Sequence, residues 1–380
     1  MTKSSQFLSS LKTDLATLCC SKAGITLKVH DVVSSVRVGS PVPWKIDGDV
    51  PCRKRMIILS LNDRIAYGIL SHEYQVDTHL MVYIEKIDSC GMAEPIQFGI
   101  MMKDQDQAEA TSLLKYAIQS YLKCLVSEWV GNVSIHVFAR SQPEFLFNGS
   151  QNLSCKHVLS HTNLIKWWKN VLSFDMKGYR TDYQIYVPNG ESSAFGIQGS
   201  NWKWQFPYLD NDMITKSIPL FPDDAKARLV RERIEDGSAN VMAVKEFREY
   251  LGVCQDFCNG NVAAFLHVKV EQGDRQEAKV DARLTVASAI PAETEIDNVV
   301  IIDEKLVTLH WDNEELVQSS SAKLIKDLDA FEFKVPQCTS IEKKKVVPVV
   351  TKTVNVVSGL LIKRKSSTTT ASDGSKKQKT

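Results

Sequence analysis

Apolar residues recur along this chain with two different periods. Residues 56–61 and 65–70 are short, nearly continuous apolar runs on either side of Asn62-Asp63. Two strand-length runs around residues that tolerate left-handed backbone predict a β-hairpin. Residues 80–87 predict a third strand with enough alternation to bury one face. The period then changes. Leu113, Leu114, Ala117, Ile118, Tyr121, Leu122 and Leu125 fall at helical spacing, which predicts an amphipathic helix over about 107–126. Residues 133–138 return to strand character, with Ile135 and Val137 sharing a face. The order β-β-β-α-β predicts an α/β fold, a central mixed β-sheet with surrounding helices.

Further along, 183–187 and 202–206 are shorter strand candidates, 225–234 a charged helix stopping at Asp236-Gly237, and 244–251 another helix. The run 262–270 reads as a buried strand. Thr162 or Asn163 is expected to cap the helix that carries Trp167 and Trp168. From 271 to 294 the chain turns polar, and 318–322 is low in complexity; both predict loops or disorder. These shifts divide the chain into 1–270 as a core, 271–350 as an irregular insertion with final core elements, and 351–380 as a tail.

Composition narrows the class. The chain has 380 residues, 43% hydrophobic and 24% charged, enough for a sizeable core in a globular protein. No apolar run approaches the roughly 18 residues of a membrane span, and the first residues lack a secretory apolar segment. Nine cysteines, an odd number without framework spacing, suit reduced thiols in cytosol or nucleus. The net charge of +1 conceals an asymmetry. Residues 363–380 carry six basic side chains against Asp373, which gives the tail +5 and leaves −4 for the rest. A mildly acidic body suits a basic protein substrate better than DNA. The tail is too polar to fold alone, and its two basic clusters read as a bipartite nuclear address or a polyanion contact.

Two motifs carry the chemistry. The segment Ile218-Pro-Leu-Phe-Pro-Asp-Asp-Ala-Lys-Ala-Arg228 sets Asp223 and Asp224 after a proline, at the start of a helix, where acids suit the positive end of the dipole. The segment from His157 to Trp168 is a short helix ending in paired tryptophans. Taken bare, these read as ordinary first-turn acids and core aromatics. Together, in this order, they resemble the fungal histone-chaperone-dependent lysine acetyltransferases, the regulator of Ty transposition family, distantly similar in fold to the animal CBP-type acetyltransferases. Residues 83–91 and the basic end 355–365 are also similar to that family, and about half of the chain carries the likeness.

The resemblance implies a CBP-like histone acetyltransferase fold and transfer of acetyl from acetyl-CoA to lysines of histone H3. It also implies two partners, an anti-silencing-function histone chaperone and a nucleosome-assembly-type histone chaperone, and a nuclear role in chromatin assembly and genome stability. Asp224 falls on the family's acid–base aspartate, with Asp223 supporting the helix start. Asp88 matches an aspartate lining the active site, and Trp168 the tryptophan that walls the lysine channel. Acetyl-CoA would meet the backbone of Ile87, Asp88 and Ser89 with its pantetheine arm. Phe138 and His157, Val158 and Leu159 would form the rim, Trp167 would stack near the cofactor, and Arg140 would meet the diphosphate. In the loop after Gly91 the family places basic residues, whereas residues 96–100 of this chain have none, so Phe98, Gly99 and Ile100 would offer backbone to the phosphates. Phe145 stands where relatives carry a tyrosine. Lys226 aligns with the family's autoacetylated lysine.

Other readings compete. A non-catalytic chaperone-binding scaffold with the same fold is the main alternative, against which stand the intact Asp88, Trp168 and Asp224. A nucleic-acid-binding protein would rest on the tail alone. No metal is expected: His157 and His161 lack a third ligand, and Cys254 and Cys258 lack a partner pair.

Overall fold

Strand β4 (Pro51–Leu61) shows how the sheet is built. Ile57, Leu59 and Leu61 enter one hydrophobic cluster, while Met56 and Ile58 enter another on the opposite face. Alternate residues of a strand point to opposite faces, so a strand covered on both sides reads as one continuous apolar run. Asn62 and Asp63, with φ of 50° and 59°, make the two-residue turn into β5 (Arg64–Val76). Two positive φ angles suit a hairpin turn whose twist matches the strands, and short polar side chains tolerate them best.

The computed structural model describes residues 11, 13–15, 18–20, 25–38, 50–91, 98–101, 108–254, 257, 262–272, 297–329 and 332–334, with backbone alone for 18–20, 38, 98–101, 108–111 and 332–334. All belong to one compact unit spanning Met1–Lys345. Of the polar stretch 271–294, Glu271 and Gln272 end a strand, not a loop, and the remainder lies outside the described residues, as does the basic tail.

The strands are β1 (Leu18–Cys20), β2 (Leu27–Val33), β3 (Arg37–Val38), β4, β5, β6 (His79–Ser89), β7 (Phe98–Met101), β8 (Ala108–Thr111), β9 (Val133–Arg140), β10 (Tyr179–Tyr186), β11 (Trp202–Trp204), β12 (Ala263–Gln272) and β13 (Glu332–Lys334). The main sheet runs β11-β10-β12-β9-β6-β5-β4-β2-β13, with β3 beside β4, and β1-β7-β8 form a small second sheet. Most pairs are antiparallel, but β6 runs parallel to β9, Leu80 facing Val133 and Ile84 facing Val137. A parallel pair needs a crossover. Here it passes through α1 (Leu113–Glu128). That helix starts at Leu113, because 108–111 pair with β7 instead of extending it.

On one face, α1 and α2 (His161–Leu172) cover Ile69, Val82, Ile135 and Leu266. On the other, α6 (Asn298–Thr308) and α7 (Glu314–Leu328) cover Met56, Ile58 and Leu70 with Trp311 between them. At the end of β12, α3 (Ile214–Ser217), α4 (Ala225–Glu235) and α5 (Val244–Leu251) enclose Phe206, Phe247 and Phe265.

The low-complexity run 318–322 is not a loop but the middle of α7. Two of its serines are buried and engaged: the Ser320 hydroxyl donates to the His310 carbonyl at 2.7 Å, and Ser321 Oγ accepts from the Ile65 amide at 3.0 Å. Small hydroxyls that satisfy backbone groups of other elements let the helix sit close against the sheet. The cap of α2 also differs from expectation. Ser160, not Thr162 or Asn163, accepts from the Asn163 amide. Among the described residues no helix is long and apolar enough to cross a membrane.

Candidate active site

The parallel pair β6 and β9 splays beyond Ile84 and Val137, where the registered pairing ends. A cleft of about 630 Å³ opens there, within the size range of ligand sites. Its lining gathers residues from five parts of the chain: Ile87, Asp88 and Ser89 from β6, Phe138 and Arg140 from β9, His157, Val158 and Leu159 from the following loop, Trp167 and Trp168 from α2, and Asp223. Thus most of the expected site residues meet in one cavity. Ile84, Ile87, Val137, Leu164 and Trp167 give it an apolar wall, and Arg140 brings a permanent positive charge. Val158 and Leu159 are 48% and 37% exposed, an apolar rim facing solvent. Phe98, Gly99 and Ile100 belong to β7, whose side chains lie outside the described residues.

Trp168 is 5% exposed and packs edge-on against Trp167, ring centroids 5.2 Å apart. It lines the cleft and is at the same time part of the main core.

Asp88 is not a free carboxylate. Its Oδ2 accepts from the amides of Phe145, Leu146 and Phe147 at 2.8, 2.9 and 3.2 Å. Its Oδ1 accepts from the Ser89 amide at 2.8 Å and from Lys156 Nζ at 2.9 Å. Lys156 also donates to the Ser150 hydroxyl. One buried carboxylate therefore holds the loop that brings Phe145 to the cleft. Gly91, at φ 73°, completes the cradle, since a Cβ there would come within 2.8 Å of Lys156 Cβ. Asp88 thus lines the cleft, as expected of it, and its hydrogen bonds anchor the loop beside it.

The two adjacent aspartates part ways. Asp223 has φ 48°, a left-handed conformation costing about 1–2 kcal/mol for a residue with a side chain. The next residue returns to extended backbone, φ −107° and ψ 119°, and caps α4. This twist sends the carboxylates in different directions. Asp223 is exposed and lines the cleft, whereas Asp224 is 3% exposed and faces inward. Asp224 Oδ1 accepts from the Lys226 amide at 2.9 Å, and Oδ2 pairs with Lys226 Nζ. Lys226 is itself buried, its ammonium 5.0 Å from the Phe221 ring centre and 5.6 Å from that of Phe265. Burial pushes the Asp224 carboxyl up and the Lys226 ammonium down, while each partner pulls the other back. Arg228, four residues on, reaches Glu232 at 3.8 Å.

Phe221 stacks flat on Tyr83 of β6, centroids 4.4 Å apart and planes within 3°. That contact fastens the Asp223–Lys226 segment to the strand carrying Asp88. The sequence reading missed Lys156 and Glu85, which also line the cleft. Nothing local marks Lys156, because its partner Asp88 lies 68 positions away. Among the described residues, no group of three His, Cys, Asp or Glu is placed to hold a metal.

Comparison with known proteins agrees with this geometry. The histone acetyltransferase KAT11-type domain family matches residues 55–327. Histone acetyltransferase rtt109 of Schizosaccharomyces pombe is 24% identical over 228 residues, 54% of this chain and 56% of that protein. Histone acetyltransferase RTT109 of Candida albicans is 26% identical over 138 residues, 36% of this chain and 38% of that protein. The matched regions thus span about half the length of these curated relatives, or less. The crystal structure of Rtt109 from Aspergillus fumigatus superposes with a TM-score of 0.65 at 17% identity, covering 87% of this chain and all of that one. With the family match extending over most of its length, the chain belongs to the KAT11-type histone acetyltransferases, among the fungal Rtt109-type members.

Proposed function

We propose that this chain transfers acetyl from acetyl-CoA to lysines of histone H3, presented by an anti-silencing-function chaperone and a nucleosome-assembly-type chaperone, in the nucleus. The observation that carries this reading is the cleft itself, which joins an apolar channel, a cationic side chain and an exposed carboxylate. Acetyl-CoA, when bound, supplies an activated thioester. Its arm fits between β6 and the Val158–Leu159 rim, and Arg140 suits its phosphates.

A lysine ammonium has a free pKa near 10.4, so losing its proton at pH 7 costs about 4.6 kcal/mol without help. Trp168 and Trp167 strip water from the lysine stem, which favours the neutral amine. Asp223 holds the arriving ammonium at the mouth. Asp224 acts one step back: it caps α4, pairs with Lys226 and fixes the segment from which Asp223 projects. Lys226, buried beside two aromatic rings, is the site at which autoacetylation would replace an ion pair by a neutral amide. The basic tail adds attraction to acidic chaperone surfaces or to an import receptor.

Acetyl transfer from radiolabelled acetyl-CoA to H3–H4, with and without each chaperone, tests the proposal. Label on H3 that rises with chaperone supports it. A chain that binds H3–chaperone complexes yet labels no histone is the scaffold of the alternative reading.

A further inference from the structure

Four carboxylates stand near the Tyr83–Phe221 stack or the strand beneath it, and two of them are fully engaged. Asp88 holds three loop amides and Lys156, and Asp224 holds Lys226. Asp223 is exposed. The fourth is Glu85, on β6, which lines the same cleft with its side chain 10% exposed. Glu85 Oε2 lies 2.5 Å from Nε2 of His72, a neighbour on β5 whose side chain is 4% exposed. Against a carboxylate the ring nitrogen is the donor, so this bond fixes the orientation of both groups. Oε1 is left toward Lys86 Nζ at 3.5 Å, too long for a strong charge-assisted bond.

We propose that Glu85 accepts the proton of the substrate lysine and that His72 is the residue that positions it. This rests on the reading of the cleft as a lysine acetyltransferase site. In the step, one N–H bond of the ammonium breaks and an O–H bond forms at Glu85 Oε1. Lysine goes from +1 to neutral and Glu85 from −1 to neutral. The carboxyl afterwards releases the proton to cleft water, which restores the carboxylate for the next turnover. A general base must be held at hydrogen-bonding distance in a fixed pose, and the bond from His72 supplies that, whereas an exposed carboxylate such as Asp223 swings in water. Glu85 and Asp223 line the same cleft.

The groups facing Glu85 are His72 from β5, Lys54 from β4, Lys86 on its own strand, Tyr74 and Tyr83. Asp303 of α6 reaches Lys86 at 3.7 Å and tempers that charge. Burial alone would push the Glu85 carboxyl up; the His72 bond and charge outweigh it and hold the carboxyl below the usual range, so it is ionised when substrate arrives.

The test is the full chain with chaperone-bound H3, comparing wild type, Glu85→Gln, Glu85→Asp, His72→Gln and Asp223→Asn. Glu85→Gln should lower kcat about 10²-fold or more, the usual worth of acid–base help, while the acetyl-CoA KM stays within twofold. It should also remove the acidic limb of the kcat–pH profile. His72→Gln should lower kcat less and leave that limb in place but shifted. Asp223→Asn should instead raise the histone KM. A Glu85→Gln chain whose kcat stays within threefold of wild type from pH 6 to 9 overturns the proposal. If Glu85→Gln fails to bind acetyl-CoA because it does not fold, Glu85→Asp decides: unchanged kcat with normal binding sinks the idea. A wild-type chain that transfers no acetyl group removes both this proposal and the reading beneath it, whereas active Glu85→Gln removes this one alone.

Discussion

Two buried aspartate–lysine pairs, Asp88–Lys156 in the wall of the cleft and Asp224–Lys226 behind it, are built in opposite ways. Asp224 and Lys226 stand two positions apart, at the start of one helix, and their bond is a local matter of helix capping. Asp88 and Lys156 stand 68 positions apart, and Asp88 also gathers three amides from a loop 57 to 59 positions away. A local pair fixes the direction of a segment; a distant one fixes where two segments meet. The Asp224 pair sets how the Asp223 carboxylate is presented. The Asp88 pair sets whether the cleft has a wall at all.

Removing the distant pair should have the larger effect. Asp88→Ala leaves Lys156 and three amides without their acceptor, and taking one partner from a buried pair costs about 3–5 kcal/mol. Urea unfolding should show that loss, and calorimetry a parallel loss of acetyl-CoA affinity. Retained affinity in a chain destabilised this far would show that the loop does not shape the cofactor wall.

Asp224→Asn keeps a side chain that can cap α4 but leaves the Lys226 ammonium without a counter-charge. A buried lysine can shed its proton instead, so a smaller cost of about 1–3 kcal/mol is expected. Adding Lys226→Met, which removes the unpaired group, should recover most of the stability. Turnover that survives in the double variant would place Asp224 as a support, and turnover abolished in a fully stable double variant would restore it as the acid–base group.

Acid should separate the two halves further. His136 and His267 stack at 4.3 Å beside Lys226, and burial holds both imidazoles well below the ordinary range, His267 at about 3. His30, on β2, is lowered to about 4 by the same cause. Between those values and about 6.5 the unfolded chain binds protons that the folded chain refuses. Stability therefore rises with pH in that window and falls as pH drops below 6.5, by about 1 kcal/mol per histidine between pH 6.5 and 5.5. Thermal midpoints measured across that range, with His267→Gln as control, check the sign.

The smallest effect on the fold should come from the tail. Deleting 363–380 should leave the thermal midpoint and acetyl-CoA affinity unchanged while chaperone-stimulated transfer falls, more so at low salt, because attraction between exposed charges is screened. Full stimulation across a salt series would make the tail a passenger.

Local chemistry is what the sequence made legible. The hairpin at Asn62-Asp63, the α1 stripe and the helix start after Pro222 are each written within a few residues, and the structure holds all three. The helix through Ser319, Ser320 and Ser321 was misread, because Ser320 and Ser321 owe their place to partners before α7 and on β5, not to neighbours in sequence. For the same reason the Asp88 cradle and the Glu85–His72 bond were invisible. The likeness to a family supplied positions, but not which of Asp223 and Asp224 meets the cleft; that depends on a single left-handed residue.

The most direct test of the account is a single-turnover reaction with labelled acetyl-CoA and chaperone-bound H3–H4, read by mass spectrometry for the protein that carries the label. The wild type should place acetyl on H3 lysines, with Arg140→Ala weakening acetyl-CoA binding and Asp223→Asn weakening use of the histone. Tight acetyl-CoA binding with no label on H3, however it is presented, would contradict the account.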